Sequence, residues 1–466
     1  MLFSSMTFIF IFLPAVIALY FLAPHKLRNY ILLFASVLFY AWGEPTYVLI
    51  MLATIFVNWM GAILIDKYKA HRKLFLIGTI LADLGILFYF KYFDFVINNI
   101  NAMFHANWSL VSVIMPIGIS FYTFQAISYV VDVYRADVPV QKSISKLALY
   151  ICLFPQLIAG PIVKYHDVAS QIDNRYETTD KIVYGTKRFI VGLAKKMLVA
   201  NTLGAVADNI FVINPSDMGI GVAWIGAIAY SLQLFYDFSG YSDMAIGLGY
   251  IFGFKFLENF NYPYISKSIT EFWRRWHISL STWFREYLYI PLGGNRVSRA
   301  RNLLNLSIVF LATGVWHGAA WNFVFWGMWH GAFILMEKIT GIHKKVGGWA
   351  LTTFQHIYTM LAFVIGWVMF RADNMTYATK YIRVMFGMKQ SDMIYKLGFF
   401  IGPYEILMFV IGVLCAMPIF KNLVQYYDKS RPIPRLATNM YLLGLFALSV
   451  SSIAASTYNP FIYFRF

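Results

Sequence analysis

Long apolar runs separated by short polar connectors, most of them basic, dominate the pattern of this chain. Runs able to cross, or nearly cross, a hydrocarbon layer of about 30 Å lie near 3–22, 29–47, 48–65, 74–95, 109–131, 190–213, 219–236, 303–316, 319–336, 349–369, 399–419 and 437–457. Lysine and arginine gather in the connectors, the signature of the positive-inside rule. Lys26 and Arg28 precede one helical hairpin, and Lys67, Lys69, Arg72 and Lys73 follow it. Both connectors therefore face the cytoplasm, and the N-terminus faces out. Segment 98–108 has no Lys or Arg and falls outside; 135–146 and 164–196, with Arg135, Lys142, Lys146, Lys164, Arg175, Lys181, Lys187, Arg188, Lys195 and Lys196, fall inside.

Two apolar stretches do not fit as spans. Segment 147–163 has the same side demanded at both flanks and is broken by Pro155, Gln156, Gly160 and Pro161, which predicts a re-entrant or in-plane element. Segment 240–254 follows Asp237 and precedes the basic stretch from Lys255 to Arg301, and it too is expected to dip in without crossing. Later connectors holding Lys338, Lys344, Lys345, Lys421, Lys429, Arg431 and Arg435 read as inside, leaving the C-terminus outside. Segment 371–389 strains this count, because it falls outside yet carries Arg371, Lys380, Arg383 and Lys389.

Composition sharpens the class. A hydrophobic fraction of 59%, 13% charged residues and a mean hydropathy of +0.61 exclude a water-soluble protein of 466 residues. The expectation is an all-α polytopic membrane protein forming a single domain over 1–466. Aromatic residues make up 19%, far more than two interfacial belts need, so many rings pack between helices or line a cavity. A net charge of +16 does not imply nucleic acid, since the charges sit in the connectors. Cys152 and Cys415 lie in apolar runs and are expected to be buried free thiols, with no disulfide and no metal cluster. Residues 1–22 lack a basic n-region and a cleavage site, and read as an uncleaved first span.

Chemistry concentrates in residues 271–331. The run at 303–316 is short for a span, so Gly314, His317 and Gly318 fall within the depth of the bilayer. A histidine there faces protein or a water-filled cavity. The plain reading is a core histidine bonded between helices; the helix break, the small neighbours, Trp316 beside it and Asn322 five positions on favour a catalytic base. His330, in a more regular run, reads as structural. Asp237 and Asp243, beside Ser239, Gly240 and Ser242, can orient that histidine or, more readily, cap a re-entrant turn. Segment 272–296 reads as an amphipathic interfacial helix. Its Arg274, Arg275, His277 and Arg285 are candidates for the phosphates of a cytosolic donor, with anchoring to anionic headgroups an equal alternative.

The segments FYDFSGYSDMAIG, FWRRWHISLSTWFREYLYIPLGG, GVWHG and the terminal FIYFRF together resemble the membrane-bound O-acyltransferase family. The likeness runs from MLFSSMTFIF through MPIGISFYTFQAISYVVDVYR and FPQLIAGPIVKY to the last residue. It is greatest toward the bacterial alginate and peptidoglycan O-acetyltransferase membrane subunits, with teichoic acid D-alanyl transferases more distant. Glu286 stands where relatives often have Asp, keeping the charge on a longer arm. The resemblance implies a ring of roughly 10–12 transmembrane helices, with re-entrant and interfacial helices, around a central funnel or tunnel. It places the family histidine at His317. It implies acetyl-CoA or an acyl carrier protein as cytoplasmic donor, no bound cofactor or metal, a periplasmic or extracellular serine-esterase-type partner, a cell-envelope polysaccharide as acceptor, and the bacterial inner membrane as location. Two non-enzymatic readings stay open on the residues alone: a transporter, for which Asp83 at membrane depth speaks, and a scaffold of a polysaccharide export machine.

Overall fold

The computed structural model of the protein describes residues 1–158, 160–345, 347–388, 394–419, 435–456 and 458–460. Lys389, Lys421, Lys429, Arg431 and the terminal FIYFRF lie outside the described residues. Those described are helical, with no sheet among them; a single bridge joins Met218 and Tyr395. Among the described residues, five helical stretches are long and apolar enough to cross a membrane: Val48–Lys67, Lys69–Phe104, Thr179–Phe211, Trp349–Arg371 and Arg435–Ala455. The protein is a polytopic membrane protein. The chain divides into two compact units, one of residues 1–189 with 242–257, the other of 190–241 with 258–466.

The first unit begins with a π-helical turn, Phe8–Phe12, running into α1 (Leu13–Leu22), and continues through α2 (Arg28–Gly43), α3 (Val48–Lys67), α4 (Arg72–Leu87) and α5 (Phe93–Phe104). A π-helical turn, Phe88–Tyr92, joins the last two without ending the helix. Next come α6 (Ile119–Arg135), α7 (Ile144–Cys152), the single turn α8 (Phe154–Leu157) and α9 (Tyr165–Asp173). Helices α3, α4 and α6 pack on one another, and α7 packs on α2 and α3. Between α3 and α4, Asn58 donates to the buried carboxylate of Asp83 at 2.8 Å, so the acid read as a transport signal is a helix-bridging group. Residues 147–158 and 160–163 are a buried, broken segment rather than one continuous helix. Pro155 sits at the start of α8, where a missing N–H costs nothing.

Helix α10 (Thr179–Ala194) passes through a π-helical segment, Lys195–Ala200, into α11 (Asn201–Phe211). The second unit continues with α12 (Ile220–Ile251), whose last turns return to the first unit. Here the sequence expectation is corrected: most of 219–236 and of 240–254 lies in one continuous helix of 32 residues, not a span followed by a re-entrant dip. The polar notch is accommodated because its two carboxylates meet cations. Lys196 lies 2.7 Å from Asp237, both side chains almost fully buried, and Arg188 lies 2.8 Å from Asp243.

The second expectation to fall is the amphipathic helix at 272–296. The segment is instead α13 (Ile269–Arg275), α14 (Ile278–Phe284), a π-helical turn Arg285–Tyr289 and a series of turns. Trp273, Trp276, Trp283 and Phe284 are buried, so this segment carries core, not a membrane-surface face. Then follow α15 (Arg299–His317), α16 (Trp321–Thr340), α17 (Trp349–Arg371), α18 (Met375–Met385), α19 (Pro403–Cys415) and α20 (Arg435–Ala455). Helix α15 has 19 residues, about 28 Å at the rise of an α-helix. It is therefore not short, although it does stop at His317 as the sequence suggested. Both cysteines are free; Cys152 is buried, but Cys415 is exposed on α19, contrary to the sequence expectation.

Helices α15 and α16 pack along their length as an antiparallel hairpin, and two glycines set their spacing. A Cβ on Gly327 would lie 2.5 Å from the carbonyl oxygen of Phe310, and one on Gly314 would lie 2.5 Å from that of Phe323. Only residues without a side chain allow the backbones so close. Gly327→Val is expected to push the helices apart at a cost of roughly 1–3 kcal/mol, read as a lower midpoint of thermal unfolding in detergent. An unchanged midpoint would show that the hairpin has slack.

In the first unit, His166 of α9 lies 2.8 Å from Asp132 and 3.3 Å from Asp167. Hydrogen bonds to these two carboxylates push its pKa up to about 10. Because the folded value is the higher one, the contribution to stability is complete below the unfolded value of about 6.5 and is lost as pH rises through about 10. His166→Gln is expected to lower the unfolding midpoint near pH ~6 and to match wild type by pH ~10.5. A difference independent of pH would assign His166 a packing role only.

Candidate active site

His317 is the last residue of α15, and the chain turns at Gly318 before α16 begins. A Cβ on Gly318 would fall 2.2 Å from the ring of Phe323, so the turn is closed over that ring. The imidazole is buried and set edge-on to three aromatic rings, with centroids 4.9 Å away at Trp316, 5.0 Å at Trp326 and 5.2 Å at Phe370. These rings fix its orientation and keep water off it.

The residue facing His317 across a small cavity is His277. Leu234, Phe238, Trp276 and Trp367 complete the lining with Phe370, around a volume of about 20 Å³. That is room for about one water molecule. Sequence reasoning placed His277 with the donor-facing arginines; the structure buries it instead, at 1% exposure. It caps α14 in the left-handed region, at φ 43°, a conformation that non-glycine residues rarely adopt. Asn259 holds it there. The Asn259 amide oxygen accepts from the Ser279 N–H (3.2 Å) and the Ser279 hydroxyl (2.9 Å), and lies 3.2 Å from His277 Nδ1. An oxygen committed to accepting requires Nδ1 to carry the proton, which leaves a lone pair on Nε2 in the neutral ring. Nε2 is buried with no hydrogen-bond partner.

The backbone that delivers His277 is tied to α16 by a buried carboxylate. Glu337 accepts from the N–H groups of Ile269 (2.6 Å) and Thr270 (2.9 Å) and from the Thr270 hydroxyl (2.6 Å). It thus binds the N-terminus of α13, where the helix dipole favours an anion. At the other end of α16, Asn322 donates to the carbonyl of Ala372 at 2.9 Å, fastening α16 to the end of α17.

Asn322 also lines a second cavity, of about 180 Å³, with Asp208, Tyr230, Gln233, Phe370 and Arg371 among its walls. Arg371 is paired with Asp208 at 2.6 Å, and Tyr458 donates to the same carboxylate at 2.7 Å. The buried oxygens of Asn322 and Gln233 have no hydrogen-bond partner, which marks this wall as polar and unsatisfied. Phe370 borders both cavities, the polar one and the one lined by the two histidines.

The other predicted residues fall elsewhere. Asp237 and Asp243 have Lys196 and Arg188 as charge partners. Arg274 and Arg285 are exposed, the latter 3.1 Å from Glu286, while Arg275 is paired with Glu271 at 2.9 Å. His330 is fully buried among Trp273, Trp326 and Phe363, in keeping with a structural role. Among the described residues no group of His, Cys, Asp and Glu is arranged to hold a metal ion.

Residues 138–378 match the membrane-bound O-acyltransferase family, and that match includes both histidines. The chain belongs to this family. It is 40% identical to a probable alginate O-acetylase of Azotobacter vinelandii, over the whole of both chains. It is 32% identical to a peptidoglycan O-acetyltransferase of Helicobacter pylori, over all of this chain and 98% of that one. A teichoic acid D-alanyltransferase of Bacillus subtilis is 29% identical over 59% of this chain and 72% of its own. The protein is therefore an acyltransferase, and the cavity between His317 and His277 is its candidate catalytic centre.

Replacing Glu337 by Leu strands the donors of Ile269 and Thr270 in the core, at about 1–3 kcal/mol for each donor left unsatisfied. Glu337→Leu is expected to lower the unfolding midpoint and to abolish acyl transfer, with Glu337→Gln, which keeps one acceptor, intermediate in both. Full activity in Glu337→Leu would show that α13 does not need this anchor to place His277.

Proposed function

We propose that this membrane-bound O-acyltransferase takes an acetyl group from a cytoplasmic thioester, acetyl-CoA, and passes it across the bacterial inner membrane for O-acetylation of a cell-envelope polysaccharide. His317 is the general base. The observation that carries this reading is the pair of buried imidazoles, His317 and His277, facing one small apolar cavity in a chain of this family.

The chemistry needs little beyond a base and a dry, shaped passage, because a thioester is already activated. A nitrogen of His317 takes the proton of the acceptor hydroxyl as its oxygen bonds to the thioester carbonyl carbon. The C–S bond then breaks, the thiolate leaves, and the proton returns from the imidazolium to sulfur. The products are an acetyl ester and a free thiol. His277, whose Nε2 offers a lone pair, holds the attacking hydroxyl or a bridging water in line. Trp316 and Asn322 support the base, one by ring contact and the other by fixing the start of α16.

The larger polar cavity beside Phe370 suits the acceptor, since its unsatisfied oxygens are hydrogen-bond acceptors for hydroxyl groups. Arg371 on its wall belongs to the segment that the charge count assigns to the outer face, with the N-terminus also outside. The acceptor there is a serine of an esterase-type partner or the polysaccharide itself. Arg274 and Arg285, exposed on the segment assigned to the cytoplasm, suit the phosphates of the donor; Asp237 and Asp243 serve the reaction only indirectly, by neutralising Lys196 and Arg188 so that α12 runs unbroken. The full-length likeness to alginate and peptidoglycan acetylating enzymes favours acetyl. The partial likeness to a D-alanyltransferase keeps D-alanyl transfer to teichoic acid as the second reading.

His317→Ala is expected to lower transfer by roughly 10²–10⁴-fold while the protein still inserts and folds. Mass analysis of envelope glycans from cells carrying wild type or variant checks it, and also separates acetyl from D-alanyl esters. Undiminished esters in the variant would end the proposal.

A further inference from the structure

The first unit holds a cavity that shares no lining residue with the one around the two histidines. It measures about 240 Å³ and is bordered by the short 3₁₀ turn His25–Leu27, the first turns of α2 and α7, and the end of α9. Its lining includes Lys26, Lys146 and Arg175 against one carboxylate, Asp173. Asp173 is engaged by Lys146 at 2.6 Å. Glu177, the acid nearest Arg175 at 3.9 Å, is taken by Arg28 at 2.7 Å. Lys26 is exposed and has no acidic partner among the described residues, and His25 beside it is also exposed. The cavity therefore carries a net positive charge.

It is also a built site. Arg175 is 5% exposed and is held rigidly by neutral groups: Nη1 donates to Asn29 (2.6 Å) and to the Ile172 carbonyl (3.1 Å), Nε to the Phe252 carbonyl (3.0 Å), and the plane lies over the Phe254 ring at 4.5 Å. Asn29 also donates to Ile172, so the carbonyl end of α9 is satisfied and adds little negative potential. Helix α7 has no side-chain cap, so its first N–H groups reinforce a cationic field.

The surroundings are those of an amphiphile. Leu33 shares the lining with the cations. From the cavity, Tyr30, Phe34 and Leu38 form an exposed apolar stripe along one face of α2, at 57%, 71% and 44% exposure, with Tyr30 level with the charges. A soluble anion has no use for such a stripe; an acyl chain does.

We infer that this cavity binds the phosphate of an anionic phospholipid, with Lys26, Lys146 and Arg175 around the headgroup and an acyl chain along Tyr30, Phe34 and Leu38. The shared chemistry is a phosphate anion, and the lipid is its source. The inference is independent of the transfer chemistry, since no residue in it belongs to the catalytic cavity.

Lys26 is the probe, because it is exposed and bound to nothing that its loss would disturb. The full chain in neutral detergent is titrated with phosphatidylglycerol, phosphatidylcholine or inorganic phosphate and read by native mass spectrometry. Wild type is expected to retain one phosphatidylglycerol in preference to phosphatidylcholine. Lys26→Glu should weaken that molecule by about tenfold or more, Lys146→Gln should weaken it too, and Lys26→Arg should keep it; excess phosphate should not displace it. The proposal is overturned if Lys26→Glu and Lys146→Gln retain phosphatidylglycerol as wild type does, if phosphatidylcholine is held equally well, or if inorganic phosphate displaces the lipid, which would make the site one for a free anion.

Discussion

A buried carboxylate on α16, Glu337, is the constraint on which the setting of His277 depends. Burying a charge is unfavourable by several kcal/mol unless its lone pairs are filled, and here the backbone donors of Ile269 and Thr270 fill them. The demand runs both ways: the carboxylate needs the start of α13, and α13, only seven residues long, needs an anion at its N-terminus. Once that union forms, the strand of chain from Trp276 to Ser279 has little freedom. Its turn is forced into a left-handed conformation at His277, and Asn259 selects which nitrogen bears the proton. Helix α16 thereby sets one imidazole through Glu337 and the other through its close approach to α15 at Gly314 and Gly327.

The same economy of polar groups recurs at α12. A helix carrying two aspartates through an apolar core would be unfavourable on its own. With Lys196 and Arg188 supplied from the preceding helical stretch, it runs unbroken. Part of the aromatic surplus lies around His317, where Trp316, Trp326, Trp367 and Phe370 act as walls.

Much of this was legible in the residues. Hydropathy exposes the helices because lipid imposes one rule on every span, and Gly318 after a helical run announces the break that follows His317. What escaped was anything decided by distant partners. The polar notch at Asp237 and Asp243 looks like a helix break until Lys196 and Arg188, from the preceding helical stretch, are placed beside it. His277 sits in a stretch rich in arginine and was grouped with it; nothing local tells that a positive φ turns its ring away from the arginines and toward His317. Glu337 gave no signal at all, since an acid near the end of a helix usually meets water.

The cavity between the two histidines has room for about one water and no more. A space of that size does not hold an acetyl group, so the transfer proposed above requires Trp276, Trp367 and Phe370 to move apart before a thioester carbonyl can reach His317. Phe370 both orients the imidazole and lines that space, so on this reading the bulk of its ring helps to decide which acyl groups are admitted.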